Sequence, residues 1–269
     1  MKYFKILLVG VITALYRLLV QIPMLMVPQG ESVLEPSVFV ENGTVGIVFI
    51  LFAIVLYTII AGLFLLIEGR KGEKPLNKAL KYGLVYCLIW LAYLMEPSEA
   101  GTNPVDAITY PLADGSAFII MGLLLGKFFS EEKSSKEKTK VFSVTMIIIP
   151  AVCFWLGRAF LYCCLHGNGQ WDKRPIWTLF FIIECGLVVS ASIQWLASRI
   201  KTKSDYLKVI VAGFVFFGVN LLMFNGFVPL IFKADIMDLL TRAVVDICSF
   251  TIGVFITRVL LKKSIIYSK

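Results

Sequence analysis

Three arginines interrupt long apolar stretches of the sequence, where a charge is costly. They are Arg17, Arg158 and Arg242. A guanidinium presents a planar fork of N–H donors that suits phosphate and carboxylate oxygens. A charged side chain within a bilayer costs several kcal/mol, so such residues mark a functional site. The three arginines therefore predict an outward-facing polar cavity for an anionic or lipid head group.

An acidic and polar stripe accompanies Arg242 near the C-terminus. Its members follow at intervals of three or four residues, which places them on one helix face: Asp238, Arg242, Asp246, Ser249 and Gly253. The charges predicted to lie deep in the apolar runs are the three arginines and two acids, Glu184 and Asp246. Together they leave one positive charge in excess. We predict that Arg158, Arg17, Arg242 and Asp246 bind substrate. Two structural alternatives stay open, in which Arg242 neutralises Asp246 and Glu184 pairs with Arg158 or Lys173.

Glu184 and His166 are the residues whose side chains suit proton transfer. His166 is the only histidine and follows Cys163 and Cys164 in a stretch rich in turn residues. A histidine titrates near neutral pH and can act as a general base, although a solvated loop histidine is the simpler interpretation. With one histidine and no Cys-x-x-Cys pair, we predict neither a metal site nor a cofactor.

The composition indicates the surroundings that must hold these groups. The 269 residues are 58% hydrophobic and 16% charged, with a mean hydropathy of +0.84. An ordinary soluble domain is about 45–50% apolar and about 25% charged. Disorder requires low hydrophobicity and is excluded as well. The chain is therefore predicted to lie largely in lipid.

The apolar runs predict an all-α bundle of about eight transmembrane helices, in one transmembrane domain over 1–269. A spanning helix needs about 20 mostly apolar residues, and barrel strands would alternate polar and apolar residues. The predicted spans, numbered one to eight, are 4–27, 45–67, 80–95, 110–129, 141–164, 176–197, 207–232 and 237–261. The third has the shortest apolar run. Pro150 and Pro229 predict helix kinks, and Pro229 with Asn225 and Gly226 predicts a break in the seventh.

The basic residues predict the orientation of the bundle. With a cytoplasmic N-terminus, twenty of the 26 lysines and arginines fall on the inner side, and only Lys173, Arg174 and Lys233 fall outside. This asymmetry follows the positive-inside rule and puts both termini in the cytoplasm. It explains the net charge of +8 without nucleic acid, and it predicts a multi-pass protein of the cell membrane, plasma or inner.

Similarities between the two halves of the chain suggest a four-plus-four helix repeat, 1–129 and 141–269. The fourth and eighth spans both begin with an acid, Asp114 and Asp246, and both continue with Ser and Phe. Spans one and five each contain one arginine. Parallel repeats of this kind occur in transporters. Gly122 and Gly126 form a Gly-x-x-x-Gly pair, which predicts close packing on another helix and a surface for oligomerisation.

The middle of the chain, about 115–186, resembles the prolipoprotein diacylglyceryl transferases. These membrane enzymes transfer a diacylglyceryl group from phosphatidylglycerol to a lipoprotein cysteine. The similarity lies in Gly115–Phe118 with Gly122 and Gly126, a basic loop, Gly157-Arg158, Cys163-Cys164, Gly167 and Pro175. It implies that Arg158 binds lipid phosphate. The histidine expected in the Gly-rich stretch is replaced by Ile119 and Ile120.

Three functions are consistent with these features. The first is a lipid-handling transferase that binds an anionic phospholipid through Arg158 and Arg17 and moves a proton through Glu184 or His166. The second is a transporter or exporter of a small anionic or amphipathic solute. The third is a non-catalytic membrane subunit that assembles through its glycine faces.

Overall fold

The computed structural model describes residues 1–24, 34–68, 74–97, 106–129, 144–165, 167, 170–202 and 204–267. Within these ranges the chain forms helices and one isolated β-bridge, between Pro36 and Phe232. The helices are α1 (Lys2–Met24), α2 (Val38–Glu41), α3 (Val45–Leu63), α4 (Pro75–Leu94), α5 (Asp106–Phe128), α6 (Thr145–Cys164), α7 (Pro175–Ala197), α8 (Asp205–Ile210), α9 (Val219–Asn225), α10 (Val228–Ile231) and α11 (Ile236–Tyr267). The all-α prediction is confirmed.

In the part of the chain that the structure describes, seven helical segments are long and apolar enough to cross a membrane. They match seven of the predicted spans: Lys2–Pro23, Val45–Leu66, Ile108–Phe128, Thr145–Cys164, Pro175–Ala197, Asp205–Ile231 and Ile236–Leu261. Large apolar side chains on their outer faces, such as Leu19, Ile47 and Leu156, are exposed. The protein is therefore a polytopic membrane protein.

The third predicted span forms helix α4, which is less apolar than the seven others. It has 20 residues, of which eleven are buried, and Pro75 occupies its first turn. Proline suits that position because the first N–H groups of a helix have no partner within it. The polar atoms of α4 are satisfied by neighbouring helices: Tyr82 donates a hydrogen bond to the Ile60 carbonyl at 2.5 Å, and Trp90 donates to Asn220 Oδ1 at 2.8 Å.

Glycines bring α4 and α5 into close contact. A Cβ atom added at Gly122 would lie 2.7 Å from the Ala79 carbonyl oxygen, and one added at Gly83 would overlap the Phe118 carbonyl oxygen. Gly126 faces Leu76 in the same way. The prediction that Gly122 and Gly126 pack on another helix is therefore confirmed, and that helix is α4.

The seventh span is irregular. It runs from α8 through a π-helical segment, Val211–Gly218, into α9. The helix ends at Asn225, and after Gly226 and Phe227 the short α10 begins with Pro229 near its start. The predicted break is thus found. π-Helical turns occur frequently at functional sites.

Contacts between helix ends lie at two opposite sides of the bundle, as expected when successive helices run in opposite directions. On one side, Lys2 pairs with Glu68 at 3.3 Å, and the Lys201 N–H donates to the Leu66 carbonyl. Tyr206 stacks on Phe255 towards the C-terminal part of α11. On the other side, Lys233 pairs with Glu35 at 2.7 Å and the Trp177 indole donates to the Met95 carbonyl. Lys2, at the start of α1, thus lies on the same side of the bundle as Glu68, Leu66 and Lys201.

Candidate functional site

Arg17 and Asp114 form a buried ion pair between α1 and α5. Arg17 Nε donates to Asp114 Oδ1 at 2.7 Å, and each residue is 3% exposed. The Asp114 side chain is turned towards α1, and protein encloses both side chains of the pair. Burial of both charges is tolerable because each neutralises the other and both are hydrogen-bonded.

Aromatic and polar groups complete the surroundings of Arg17. Its guanidinium lies 4.5 Å from the ring centroid of Phe49 and 5.8 Å from that of Phe227. Its Nη1 also donates to Gln21, one turn further along α1. These contacts place a cation over ring faces, where the ring quadrupole attracts it. Phe227 lies just after the end of α9, far along the chain from Arg17.

Arg158 and Asp246 form a second, bidentate pair between α6 and α11. Arg158 Nε donates to Asp246 Oδ1 at 2.7 Å, and Nη2 donates to Oδ2 at 2.5 Å. Tyr93 of α4 donates its hydroxyl to Asp246 Oδ2 at 3.0 Å. Arg158 and Asp246 are 1% and 0% exposed. The parallel fork geometry is the strongest arrangement for such a pair.

Two further residues contact Arg158 in positions like those around Arg17. Arg158 Nη1 donates to the hydroxyl of Tyr162, one turn further along α6, at 3.1 Å. The ring centroid of Phe181, on α7, lies 5.2 Å from the guanidinium. Gln21 and Phe49 hold the corresponding places around Arg17, on α1 and α3. The two arginine sites thus share their pattern of neighbours.

Glu96 joins Arg158 to Arg242. Its Oε1 accepts a hydrogen bond from Arg158 Nη1 at 2.6 Å and another from Arg242 Nη1 at 3.1 Å. Arg242 Nε also lies 3.0 Å from Asp238 Oδ2. Glu96 follows the end of α4 at Leu94. Five charged residues therefore form one cluster, which we call the Glu96 cluster: Glu96, Arg158, Asp238, Arg242 and Asp246.

The predicted excess of positive charge is wrong. Asp114 neutralises Arg17, and in the Glu96 cluster three carboxylates face two guanidinium groups. The sequence count omitted Glu96 because it follows the third apolar run and was assigned to a loop. The alternative in which Arg242 neutralises Asp246 also differs from the observed pairing, since Asp246 binds Arg158 and Arg242 contacts Asp238 and Glu96. The sequence feature that could have identified Glu96 is its spacing of three residues from Tyr93. Residues three apart share a helix face, so Glu96 could extend the face of Tyr93 at the end of α4.

The four predicted substrate-binding residues fall into two groups. The structure brings Arg158, Arg242 and Asp246 together, and it places Arg17 with Asp114 in a separate pair. Their predicted role in binding substrate stays a prediction.

Glu184, one of the two predicted catalytic residues, is not a member of either charged site. Glu184 lies on α7, partly buried, and its Oε2 has no hydrogen-bond partner among the described residues. It is not among the hydrogen-bond or ion-pair partners of Arg158. His166 lies outside the described residues. Their catalytic roles stay predictions.

Within the described part of the chain, no group of three or more His, Cys, Asp or Glu side chains is placed to hold a metal ion. The six cysteines are free thiols, and Cys87 and Cys185 are buried among apolar groups. Small apolar packing is the role that these two positions fit.

The comparisons with known proteins found no similarity. No protein-family model matches the chain. No curated protein and no solved structure matches it either.

Proposed function

We propose that the protein is a transporter of a small anionic or amphipathic solute, built from two four-helix halves. The first half comprises α1, α3, α4 and α5, and the second comprises α6, α7, the α8–α9 segment and α11. In this proposal the protein lies in the cell membrane with both termini in the cytoplasm, as the distribution of basic residues favours.

The observation that supports this proposal most is the duplicated arginine–aspartate pair. In each half, the arginine of the first helix binds the aspartate of the fourth: Arg17 to Asp114 at 2.7 Å, and Arg158 to Asp246 at 2.7 and 2.5 Å. Arg17 lies seven residues before the end of α1 and Arg158 six before the end of α6. At a rise of 1.5 Å per residue, both lie about 9–11 Å from their helix ends.

Contacts between the halves add to this argument. The end of α4 brings Glu96 to Arg158, and the end of α9 brings Phe227 to Arg17. Each arginine is thus contacted by a residue that lies two positions after the third helix of the other half. In transporters with repeats, the substrate site lies between the repeats, where helices are interrupted.

The packing of the helices follows the same division. In the first half, α1 packs on α3 and α5, and α4 packs on α5. In the second, α6 packs on α7 and α11, and the π-helical segment packs on α11. Between the halves, α4 packs on α7 and α10 packs on α3. A movement of one half against the other would change the surroundings of both arginines together.

Transport currents test this function. Purified protein is reconstituted into liposomes, adsorbed to a solid-supported membrane and exposed to concentration jumps of acetate, lactate, inorganic phosphate, glycerol 3-phosphate and laurate. We expect at least one anion to evoke a current that is at least tenfold smaller in R158Q, because that variant loses the fork that holds Asp246. The exposed variant K233Q is the matched control and should retain the current. Currents no larger than those of protein-free liposomes for every anion would contradict transport.

The lipid-handling transferase has less support. It needs a proton carrier beside Arg158, and Glu184, one of the two residues predicted for that role, is not among the hydrogen-bond partners of Arg158.

The non-catalytic subunit has no specific observation in its favour. Gly122 and Gly126 already pack against α4 of the same chain. Oligomerisation through these two glycines therefore stays a prediction.

A further inference from the structure

Two arginines from different helices converge on a single carboxylate oxygen. Arg158 of α6 and Arg242 of α11 both donate to Glu96 Oε1, at 2.6 and 3.1 Å. Two guanidinium groups aimed at one point form a binding site for an anion, because each offers charge-assisted hydrogen bonds. In this structure a side chain of the protein itself occupies the point.

Neither arginine needs Glu96 for neutralisation. Asp246 binds Arg158 through both of its oxygens, and Asp238 lies 3.0 Å from Arg242. The Glu96 cluster without Glu96 would hold two positive and two negative charges. Glu96 is thus the one carboxylate of the Glu96 cluster that neither arginine needs for its own pairing.

Glu96 is also the carboxylate of the cluster that can leave most easily. Asp238 and Asp246 lie within the long helix α11, whereas Glu96 lies two residues after the end of α4 and is followed by Pro97. A small change of backbone at this helix end would withdraw Glu96 without disrupting a helix. The side chain that covers Arg17 in the first half is Phe227, which has no charge.

We propose that Arg158 and Arg242 bind a small carboxylate or phosphate anion at the point that Glu96 Oε1 occupies here. The anion and Glu96 compete for this point, so that Glu96 acts as a tethered substitute when the site is empty of solute. This inference rests on the proposed transport function and names the chemical class of the solute. The charge of Arg17 plays no part in it, because Asp114 remains bound there.

Rescue of a Glu96 variant by an added anion tests the proposal. E96A is purified in nanodiscs of phosphatidylcholine, and its thermal unfolding is followed by tryptophan fluorescence at constant ionic strength. Sodium acetate and inorganic phosphate are titrated against sodium chloride. We expect saturable stabilisation of E96A by acetate or phosphate at a concentration at least tenfold lower than for the unsubstituted protein. E96Q, which keeps the shape and removes the charge, serves the same measurement if E96A does not fold.

Two control variants define the site. E35A removes an exposed carboxylate that pairs with Lys233 at 2.7 Å and should show no saturable response. E96A/R242Q removes one of the two guanidinium groups and should lose the response. A further arm places E96A in nanodiscs that contain phosphatidylglycerol. Stabilisation by this lipid alone, with none by acetate or phosphate, would support the same site with a lipid head group as the anion.

Absence of saturable stabilisation in E96A and E96Q, with helical circular dichroism retained, would overturn the proposal. An equal response in E35A or in E96A/R242Q would overturn it as well. The proposed function could survive either result, because the transport currents of the unsubstituted protein test it separately from this site.

Discussion

Buried arginines in this bundle are stabilised by partners rather than by solvent. Arg158 binds Asp246 through two hydrogen bonds, and Tyr93 supports the same carboxylate from α4. A buried pair of this kind contributes modestly as a unit, but loss of one member leaves an uncompensated charge. At the scale of the residue, one ion pair joins α1 to α5 and the other joins α6 to α11. Removal of one member of either pair would weaken that connection.

We expect R158Q to lower the free energy of unfolding by about 3–5 kcal/mol, because Asp246 and Glu96 lose the charge that neutralises them. The double variant R158Q/D246N should lose less unfolding free energy than the two single variants lose together, since it removes both charges of a contacting pair. Unfolding in SDS, followed by circular dichroism, measures these differences.

The exposed pair of Lys233 and Glu35 is the matched control. Both side chains face solvent, at 74% and 71% exposure, and exposed pairs contribute little. Hydrogen bonding to Lys233 lowers the pKa of Glu35, and the same bond raises the pKa of Lys233. A change in K233Q as large as that in R158Q would show that burial does not determine the effect.

At the scale of the helix, α4 differs most from what its hydropathy predicts. It is not among the seven segments that are apolar enough to cross a membrane, yet Tyr82, Tyr86 and Trp90 are fully or almost fully buried. A helix surrounded by other helices can contain polar groups, because neighbouring carbonyl and amide groups satisfy them. Hydropathy reflects contact with lipid, whereas eleven of the 20 residues of α4 are buried in the protein.

We expect G83A to destabilise the bundle by about 1–3 kcal/mol, because its Cβ would overlap the Phe118 carbonyl oxygen and push α4 from α5. G46A is the control: it also lies in a helix, and nothing lies within 4 Å of its added Cβ. It should leave stability unchanged or raise it slightly, since alanine favours a helix over glycine. Unfolding in SDS measures the stability of both variants. Equal losses of stability in G83A and G46A would argue against the close contact between α4 and α5.

Much of the fold could be predicted from sequence, because a spanning helix is specified by local composition. Seven predicted spans coincide with apolar helices, and the break after Asn225 follows from Gly226 and Pro229. The partners of the arginines could not be predicted in this way. Asp114 and Glu96 are distant in sequence from Arg17 and Arg158, so their pairing depends on which helices pack together, and hydropathy contains no information about that.

At the scale of the whole molecule, the two halves that we propose share one arrangement of charges. Arg17 with Asp114, and Arg158 with Asp246, join the first and fourth helices of each half. The halves differ at the residue that covers each arginine, which is Phe227 for the first and Glu96 for the second. A transporter with two similar halves and one anion site would have this combination of symmetry and difference.

Distances between spin labels test most directly whether the halves move as units. Labels are introduced as non-natural amino acids, so that the six native cysteines stay in place, at exposed positions near one end of the bundle. The pair across the halves is Ile108 and Met237; the pairs within each half are Ile47 with Ile108 and Ile176 with Met237. Double electron–electron resonance spectroscopy of the protein in nanodiscs gives the distance distributions with and without acetate, phosphate and laurate.

The account predicts that the distance between Ile108 and Met237 has two populations, or shifts with at least one anion, while both distances within the halves stay single and unchanged. One narrow distribution across the halves under every condition would contradict it. So would changes within a half as large as those between the halves.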